Sequence, residues 1–389
     1  MKIGFQIEHL DPARGGAETY VYQFATELLA AGHEVHLIAA AFGSKPRGAF
    51  THRVMRRGLT RWGGDLRFAR AAGRAARRAN LDVVVAAGRT FGADVLQLHS
   101  GTLPGNRRQN LLKIRNPVLR ALKDGFDWVN PLTQTLMKIE AEQFAADPPP
   151  EVVAISRMVL QDIKNYYHVP DERLHLVYNG VDLSRFSPEI CAEKRAEART
   201  ALGLENDETC YLTIGHNFRL KGVRELVEAA ARLDRGSRWR VLVIGKAAAK
   251  PYLELADRLG CADRFHFLGA VPDVVPAYAA CDAYVLPTWY DPCSLVVLEA
   301  LASGRPVITT RFNGAAELME DGREGFIVDS PRDTDRLADA MTRLMDPDLR
   351  ARMGPAARRA VHDYSIQRNF REMMAVFEKA AARKESSRK

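Results

Sequence analysis

Cysteine is scarce in this chain, with five residues in 389, and none of the five stands in a CxxC pair. A disulfide framework and a cysteine-based zinc site both need closely or regularly spaced cysteines, so neither is indicated. We therefore expect most of the cysteines to be small buried hydrophobic residues.

Long hydrophobic runs are also missing, so no segment is expected to cross a bilayer. The first residues, MKIGFQIEHL, enter a strand pattern directly and do not resemble a signal peptide, which predicts a cytoplasmic protein.

No GxGxxG follows a strand, which disfavours a dinucleotide site. No nucleic-acid-binding motif is present, so we expect no nucleic-acid partner.

The length and composition are those of a globular protein with two domains. Hydrophobic residues make up 47% of the chain and charged residues 27%, and 389 residues exceed what one core usually holds. Strand patterns alternate with helical ones throughout. This alternation predicts an α/β protein with doubly wound parallel sheets, whose ligands bind beyond the carboxyl ends of the strands. The strand patterns lie at 2–7, 34–40, 81–87, 95–99, 152–156, 174–178, 209–214, 239–245, 265–269, 283–287 and 307–310.

One stretch, LPTWYDPCSLVVLEALASGRPVITT at 286–310, carries most of the functional information. It has the pattern of a strand, a turn, a helix beginning near Ser294, and a second strand. A helix that begins directly after a strand presents unpaired backbone N–H groups, here those of Leu295 and Val296, and the positive end of its dipole. These features favour a phosphate group.

Charged residues surround the predicted phosphate position. Glu299 lies about 7 Å further along the helix, where the ribose hydroxyls of a nucleotide would fall. Asp291, before the turn, is expected on the other side of the phosphates, where the sugar of a nucleotide sugar would lie. Arg219 and Lys221 follow the strand 209–214 and can clamp a diphosphate and stabilise it as a leaving group. In a metal-independent transferase such cations replace a divalent ion.

Residues 291–307 follow the pattern acidic-Pro-x-Ser-Leu-x-x-x-Glu-Ala-x-Ala-x-Gly-x-Pro-Val. This pattern resembles the donor-binding signature of retaining glycosyltransferases of family 4, which have the GT-B fold. NGVD at 179–182 is similar to that family's interdomain crossover. The resemblance spans nearly the whole chain and implies two Rossmann-like, doubly wound parallel-sheet domains facing across a cleft. They are residues 1–178, completed by a C-terminal helix at 364–383, and residues 179–363.

The resemblance also implies roles for single residues. Gly15 and Gly16 resemble the glycine loop over the donor phosphates, although an ordinary turn is the alternative. His99 resembles a polar residue near the donor sugar, with a structural histidine as the alternative, and Val271 stands in the loop that touches the base. The implied catalytic residues are His99, Arg219, Lys221 and Asp291. The implied donor-binding residues are Gly15, Gly16, Arg219, Lys221, Val271, Asp291, Ser294, Leu295, Val296 and Glu299.

The positive charge is concentrated in the first domain. Residues 1–150 hold 21 Lys and Arg against 13 Asp and Glu, so the whole net charge of +8 falls there. One basic stretch lies at 47–78, and a second, at 107–123, interleaves cations with apolar residues, a pattern that suits an anionic membrane surface. A merely solvated face is the alternative. The membrane-side or acceptor-side cations of the second stretch are Arg107, Arg108, Lys113, Arg115 and Arg120.

Together these features predict a retaining, metal-independent glycosyltransferase without a cofactor. The expected donor is UDP-glucose, and the expected acceptor is a sugar hydroxyl of a membrane glycolipid such as lipopolysaccharide core, reached from the inner face of the cell membrane. Alternatives are a GT-B nucleotide-sugar epimerase, a family 4 transferase for capsule or exopolysaccharide or with another donor, and a nucleotide-sugar-binding subunit without catalysis. The sequence does not determine the oligomeric state.

Overall fold

The computed structural model describes residues 1–56, 58 and 60–386. Arg57, part of the first basic stretch, lies outside these residues. The chain divides into two compact units. The first is Met1–Tyr178 with Asn369–Lys389, and the second is Asn179–Arg368.

The first unit contains a seven-stranded sheet with parallel neighbours throughout, in the order β5-β3-β1-β6-β7-β8-β9, and a small parallel pair, β2-β4. The strands are β1 (Lys2–Gln6), β2 (His9–Leu10), β3 (Glu34–Ala39), β4 (Ala41–Phe42), β5 (Phe50–Arg53), β6 (Val83–Ala86), β7 (Val95–Gln97), β8 (Glu151–Ala154) and β9 (Leu174–Leu176). The helices are α1 (Gly16–Ala30), α2 (Arg61–Ala79), α3 (Leu103–Leu112), α4 (Pro117–Val129), α5 (Pro131–Phe144) and α6 (Arg157–Tyr166).

The second unit contains a six-stranded parallel sheet in the order β12-β11-β10-β13-β14-β15. The strands are β10 (Thr209–Ile214), β11 (Trp239–Ile244), β12 (Phe265–Gly269), β13 (Ala283–Leu286), β14 (Val307–Thr310) and β15 (Gly325–Val328). The helices are α7 (Pro188–Ala201), α8 (Val223–Ala230), α9 (Lys250–Arg258), α10 (Val275–Ala280), α11 (Leu295–Ala302), α12 (Thr334–Arg343) and α13 (Pro347–Ala360), and α14 (Ile366–Ser386) ends the chain. The prediction of doubly wound parallel sheets is confirmed.

Each unit has its own hydrophobic core, because a parallel sheet covered by helices buries both of its faces. In the first unit Phe5 of β1 and Phe24 of α1 are buried together with Phe377 of α14. The rings of Phe5 and Phe377 meet edge to face with centroids 6.2 Å apart. The part of α14 from Asn369 onwards therefore supplies core side chains to the first unit.

Several element boundaries differ from the sequence prediction, and two of the differences concern the last helix and a candidate site residue. The last helix begins at Ile366 and not at 364, because Ser365 caps it and accepts a hydrogen bond from the Arg368 N–H at 3.2 Å. Strand β7 ends at Gln97, so His99 lies in the turn that follows and not on the strand. The backbone N–H of Gly101 donates to the Leu98 carbonyl at 3.0 Å, which closes that turn.

The second basic stretch forms helices inserted between β7 and β8. Helices α3, α4 and α5 follow one another here, and no residue of α4 is buried. No helix in the described part of the chain is long and apolar enough to span a bilayer.

Candidate functional site

The strand order of the second unit reverses between β10 and β13, and ligands of such sheets bind at this point, beyond the carboxyl ends of the strands. Two loops meet there, residues 215–222 after β10 and residues 287–294 after β13. They are hydrogen-bonded to each other. The Trp289 N–H donates to the Leu220 carbonyl at 2.9 Å, and the Thr288 hydroxyl donates to the same carbonyl at 3.1 Å.

Gly222 allows the two loops to approach closely. It has a φ of +72°, a left-handed conformation that side chains disfavour, and it directly precedes α8. A Cβ at this position would lie 1.9 Å from the Pro287 carbonyl oxygen. The glycine of the FRLKG segment is therefore required by the contact between the loops.

Lys221 and Asp291 form an ion pair across the two loops, between Nζ and Oδ2. Their side chains are 20% and 10% exposed, so the pair is largely shielded from water. Arg219, in the same loop, is exposed. The sequence placed Lys221 at the phosphates and Asp291 at the sugar, whereas the structure shows these two side chains in direct contact.

Further positive charge lies around the loop after β10. Burial lowers the pKa of His216, and the nearby ammonium groups of Lys246 and Lys221 lower it further. Neither His216 nor Lys246 was identified from the sequence. Both follow the carboxyl ends of strands, which is the position that could have identified them. The loop therefore offers an environment that favours an anion.

Helix α11 begins at Leu295, with Ser294 as its extended N-cap residue. Ser294 is buried, and its hydroxyl has no hydrogen-bond partner among the described residues. The first N–H groups of a helix, here those of Leu295 and Val296, have no intrahelical acceptor, and they point in the same direction as the positive end of the helix dipole. The predicted helix start is confirmed at this position, and an anion placed here would find both N–H and O–H donors.

Two asparagines support the turn before α11. The side-chain oxygen of Asn313 accepts from the Ser294 N–H at 3.3 Å and from the Ala315 N–H at 3.1 Å. The side-chain amide of Asn179, from the NGVD segment, donates to the Cys293 carbonyl at 2.8 Å. Sequence reasoning assigned NGVD to the domain crossover and missed this contact.

Glu299 is partly buried on α11 and accepts a hydrogen bond from the hydroxyl of Tyr278 at 3.0 Å. The same hydroxyl lies 2.9 Å from the carbonyl of Val296. Burial raises the pKa of Glu299 to about 7, against the lowering effects of Tyr278 and of the Arg185 guanidinium. Tyr278 lies on α10, a helix that the sequence analysis did not predict.

The loop after β12 reaches the same edge of the sheet. Val271 lies there, partly exposed, just after Gly269, whose φ is +69°. Asp273 in this loop accepts from the Arg185 guanidinium at 2.8 Å and from the Val275 N–H at 3.2 Å. Arg185 therefore links the loop of Val271 to the surroundings of Glu299.

Three candidate residues belong to the first unit. Gly15 is the N-cap of α1, with extended backbone, and Gly16 is the first helical residue. The ring of His99 packs on that of Tyr20 at 4.6 Å. Burial lowers the pKa of His99 to about 4, and Nε2 is buried with no hydrogen-bond partner in the described chain. The nearby Gln97 is 2% exposed, and both of its amide atoms are equally unpartnered there; it was not identified from the sequence.

The five cations of the predicted basic face differ in their surroundings, since some make contacts within the protein and others are exposed. Arg107 pairs with Asp124, and its guanidinium lies 4.8 Å from the centroid of the Trp128 ring. Arg120 donates to the Ile114 carbonyl at 3.0 and 3.1 Å. These two arginines hold α3, α4 and the segment between them together. Lys113 is half-buried, whereas Arg108 and Arg115 are exposed.

We found no group of three or more His, Cys, Asp or Glu side chains in the described residues that could hold a metal ion.

Two family models match the chain. A model described as Glycosyltransferase Family 4 matches residues 14–185, and a model described as Glycosyl transferases group 1 matches residues 209–347. The second match contains both loops at the point where the strand order reverses. The two models together take in most of the chain.

One curated relative matches this chain over nearly its full length. D-inositol 3-phosphate glycosyltransferase of Gordonia bronchialis is 28% identical over 393 residues, which are 94% of this chain and 84% of that protein. The chain spans only about half the length of several other curated relatives that it matches.

Two solved structures have the same fold. WaaG, a glycosyltransferase involved in lipopolysaccharide biosynthesis, superimposes with a TM-score of 0.83 at 21% identity, over 97% of this chain and 98% of WaaG. Anabaena HepE in complex with UDP-glucose superimposes with a TM-score of 0.71 at 20% identity, over 99% of this chain and all of HepE. The likeness to these structures shows the fold, which is GT-B, and the two family matches show that the chain belongs to the group 1 and family 4 glycosyltransferases.

Proposed function

We propose that this protein is a retaining, metal-independent glycosyltransferase that transfers glucose from UDP-glucose to a sugar hydroxyl of a membrane glycolipid such as lipopolysaccharide core. The observation that carries the proposal is the group of donors and charges where the strand order of the second unit reverses. The start of α11 with the unpartnered Ser294 hydroxyl, the Lys221–Asp291 pair and the half-buried Glu299 lie on loops and helices that follow adjacent strands. HepE, with UDP-glucose bound, and WaaG, named for lipopolysaccharide biosynthesis, support the donor and acceptor classes.

The diphosphate is the group that this arrangement suits best. The Leu295 and Val296 N–H groups and the Ser294 hydroxyl donate to its oxygens, and Lys221 and Arg219 supply positive charge. As the bond between the sugar C1 and the phosphate oxygen breaks, its electron pair stays on the diphosphate. The growing negative charge is stabilised by donors that are already in place.

Retention of configuration follows if the acceptor attacks from the face that the leaving group vacates. The acceptor oxygen bonds to C1, and its proton passes to the departing phosphate oxygen, so no protein nucleophile is used. In this scheme Asp291 positions Lys221, and Glu299 accepts hydrogen bonds from the ribose hydroxyls. His99, whose lowered pKa keeps it neutral, offers a hydrogen bond to the sugar.

We also propose that the protein binds the inner face of the cell membrane through α4. The helix exposes an apolar stripe at helical spacings of three, four and seven residues. Exposed fractions along it run from 56% to 74%, and its members are Val118, Leu119, Leu122, Phe126 and Val129. Two exposed cations flank the stripe, Arg115 in the segment before α4 and Lys123 on α4 itself. An apolar face with cations beside it is the composition of a helix that lies in the headgroup region of an anionic membrane.

The test is incubation with a panel of nucleotide sugars, monitored for slow release of the sugar and the nucleoside diphosphate. We expect UDP-glucose to be hydrolysed fastest, with the glucose released as the α-anomer, and activity to persist in EDTA. Hydrolysis that requires Mn²⁺ or Mg²⁺ would contradict the metal-independent mechanism. A product sugar epimerised in its ring would instead identify a nucleotide-sugar epimerase, and binding without turnover would identify a non-catalytic binding subunit.

A second candidate acceptor is favoured by a relative that covers 94% of this chain and is named for D-inositol 3-phosphate. The same panel, repeated with D-inositol 3-phosphate and with lipopolysaccharide core acceptors, distinguishes the two. The acceptor that accelerates donor consumption identifies the reaction. If neither does, a capsule or exopolysaccharide acceptor becomes the next candidate.

A further inference from the structure

A groove in the first unit lies among α3, α4, α5 and α6 and has a volume of about 760 Å³. This volume falls within the range of about 300 to 1,000 Å³ that is usual for small-molecule sites. The lining includes Leu111, Leu112, Trp128, Met137 and Tyr166, so its surface is mainly apolar. None of the residues predicted to bind the donor lines it.

Three walls of the groove are held together by one buried carboxylate. Glu140 of α5 accepts from the Leu103 N–H at the start of α3 at 2.6 Å and from the Tyr167 hydroxyl, just after α6, at 2.7 Å. The Tyr167 ring, which lines the groove, also stacks on Phe144 with centroids 3.9 Å apart. These contacts join three walls of the groove through the protein's own side chains.

The fourth wall, α4, is attached differently. None of its residues is buried, and its contacts with α3 run through Arg107, which binds both the side chain and the carbonyl of Asp124 and covers Trp128. Because no side chain of α4 is buried, a chain inserted under this helix gains apolar contact without displacing a packed core. The outer face of α4 carries the apolar stripe described above, so the groove and the stripe lie on opposite sides of one helix.

The charges around the groove select the ligand. Four cations and one carboxylate line it, and the carboxylate, Asp124, is paired with Arg107. Arg108 is exposed, and the side chain of Lys138 is 75% exposed. An apolar groove with exposed cations suits an amphiphile with an anionic head and an apolar tail.

We propose that this groove binds one apolar chain of an anionic membrane lipid, with its headgroup at Arg108 and Lys138. The proposal rests on the proposed membrane location but not on the transfer reaction. It gives the first unit a lipid-binding site separate from the donor residues of the second unit.

The test uses a brominated single-chain fatty acid below its micelle concentration, because bromine quenches tryptophan at short range. Trp128 lines the groove and the other three tryptophans, Trp62, Trp239 and Trp289, do not. We expect saturable quenching that Trp128→Phe removes. Quenching that rises linearly without saturation, or that survives in Trp128→Phe, would show partition into other surfaces and overturn the proposal.

A groove-filling variant with a matched control makes the test specific. Ala141 lines the groove at an exposed position, and Ala145, one turn later and also exposed, does not. Ala141→Phe should weaken fatty-acid binding by about tenfold, because the ring occupies the groove, whereas Ala145→Phe should leave it unchanged. Equal affinities for the two variants would contradict the proposal.

Two further ligands distinguish binding of the apolar chain from binding of the anionic headgroup. The uncharged brominated alcohol of the same length should bind more weakly than the acid, and inorganic phosphate should not displace the acid. Displacement by phosphate would mean that the site is an anion site without a chain. UDP-glucose affinity should be the same in all variants. A wild-type protein that binds UDP-glucose but not the fatty acid rejects the groove, and a wild-type protein that binds the fatty acid but not UDP-glucose rejects the transferase.

Discussion

At the residue scale, the protonation of Glu299 should control donor affinity near neutral pH. Its pKa is raised to about 7 by burial, so the ligand-free side chain is divided between acid and carboxylate. Ribose hydroxyls donate preferentially to the carboxylate, so binding lowers this pKa. Affinity for UDP-glucose should therefore be highest above pH 7 and fall by up to about tenfold between about pH 8 and pH 6.

Calorimetry across this range measures the effect, and UDP-glucose is preferred to UDP because its diphosphate has no ionisation in the window. Glu299→Gln serves as the control. It should bind more weakly at high pH, since a lost hydrogen bond to a charged group costs about 1.5 to 3 kcal/mol, and it should lose the pH dependence. A wild-type affinity that does not change with pH would place the ribose elsewhere.

Lys221 should contribute more to catalysis than to binding. Negative charge on the diphosphate grows as the glycosidic bond breaks, so its interaction with the ammonium is stronger in the transition state than in the bound substrate. We expect Lys221→Ala to lower kcat by about a hundredfold to a thousandfold, with a smaller change in KM, and Arg219→Ala to act in the same direction.

Lys221→Ala also leaves Asp291 buried without its partner, which can destabilise the second unit. Thermal unfolding and the variant Lys221→Ala with Asp291→Asn separate the two effects. The double variant should regain stability but not kcat. Recovery of kcat in the double variant would mean that the single substitution acted through the unpaired Asp291.

At the scale of single elements, we expect the apolar stripe of α4 to attach the protein to the membrane. The cations Arg107 and Arg120 are occupied within the α3–α4 region, so reversing them would disturb packing as well as charge. The apolar stripe is a cleaner target. Leu122→Asp with Phe126→Asp should abolish binding to vesicles that contain anionic lipid, because two charges would have to enter the headgroup region.

The matched control adds the same two charges outside the stripe, as Ala121→Asp with Ala145→Asp, at exposed positions. Vesicle flotation should show wild-type binding to anionic vesicles, little binding to neutral ones, and weakening by salt. Equal binding of stripe and control variants would mean that α4 is not the attachment site. If the wild-type protein does not bind anionic vesicles, the stripe has no role in membrane attachment.

At the scale of the whole molecule, one buried carboxylate makes ion pairs that join α14 to the rest of the first unit. Glu151 of β8 is 1% exposed and lies within 4 Å of four basic groups. Two of them, Lys379 and Arg383, belong to α14. Glu151→Ala should destabilise the first unit by about 3 kcal/mol, since several cations lose a buried partner at once.

Denaturant unfolding measures this change, and Glu142→Ala is the control because Glu142 is an exposed glutamate with one weak pair on the same unit. The control should change stability by less than about 1 kcal/mol. If Glu151→Ala unfolded like the control, the contacts of Glu151 with α14 would be dispensable beside the buried Met373 and Phe377 of that helix.

Short-range patterns allowed the sequence to predict much of this protein. Buried parallel strands are continuous apolar runs, so eleven strand positions and the α/β class could be predicted without coordinates. The short pair β2 and β4 and the edge strands β5 and β15 were not predicted. The turn at Asp291-Pro292 and the start of α11 near Ser294 depend on neighbouring residues, and both are present in the structure. The family signature depends on the same local run, and it was matched independently at 209–347.

Contacts between residues distant in the chain could be decided only by the tertiary structure. The pairing of Lys221 with Asp291 and the contact of Tyr278 with Glu299 join residues that are 70 and 21 positions apart. The division of the basic stretch into structural and exposed arginines depends on where Asp124 and Trp128 lie. Sequence periodicity does not predict these contacts, because they form only when strand order and helix packing bring separate loops together.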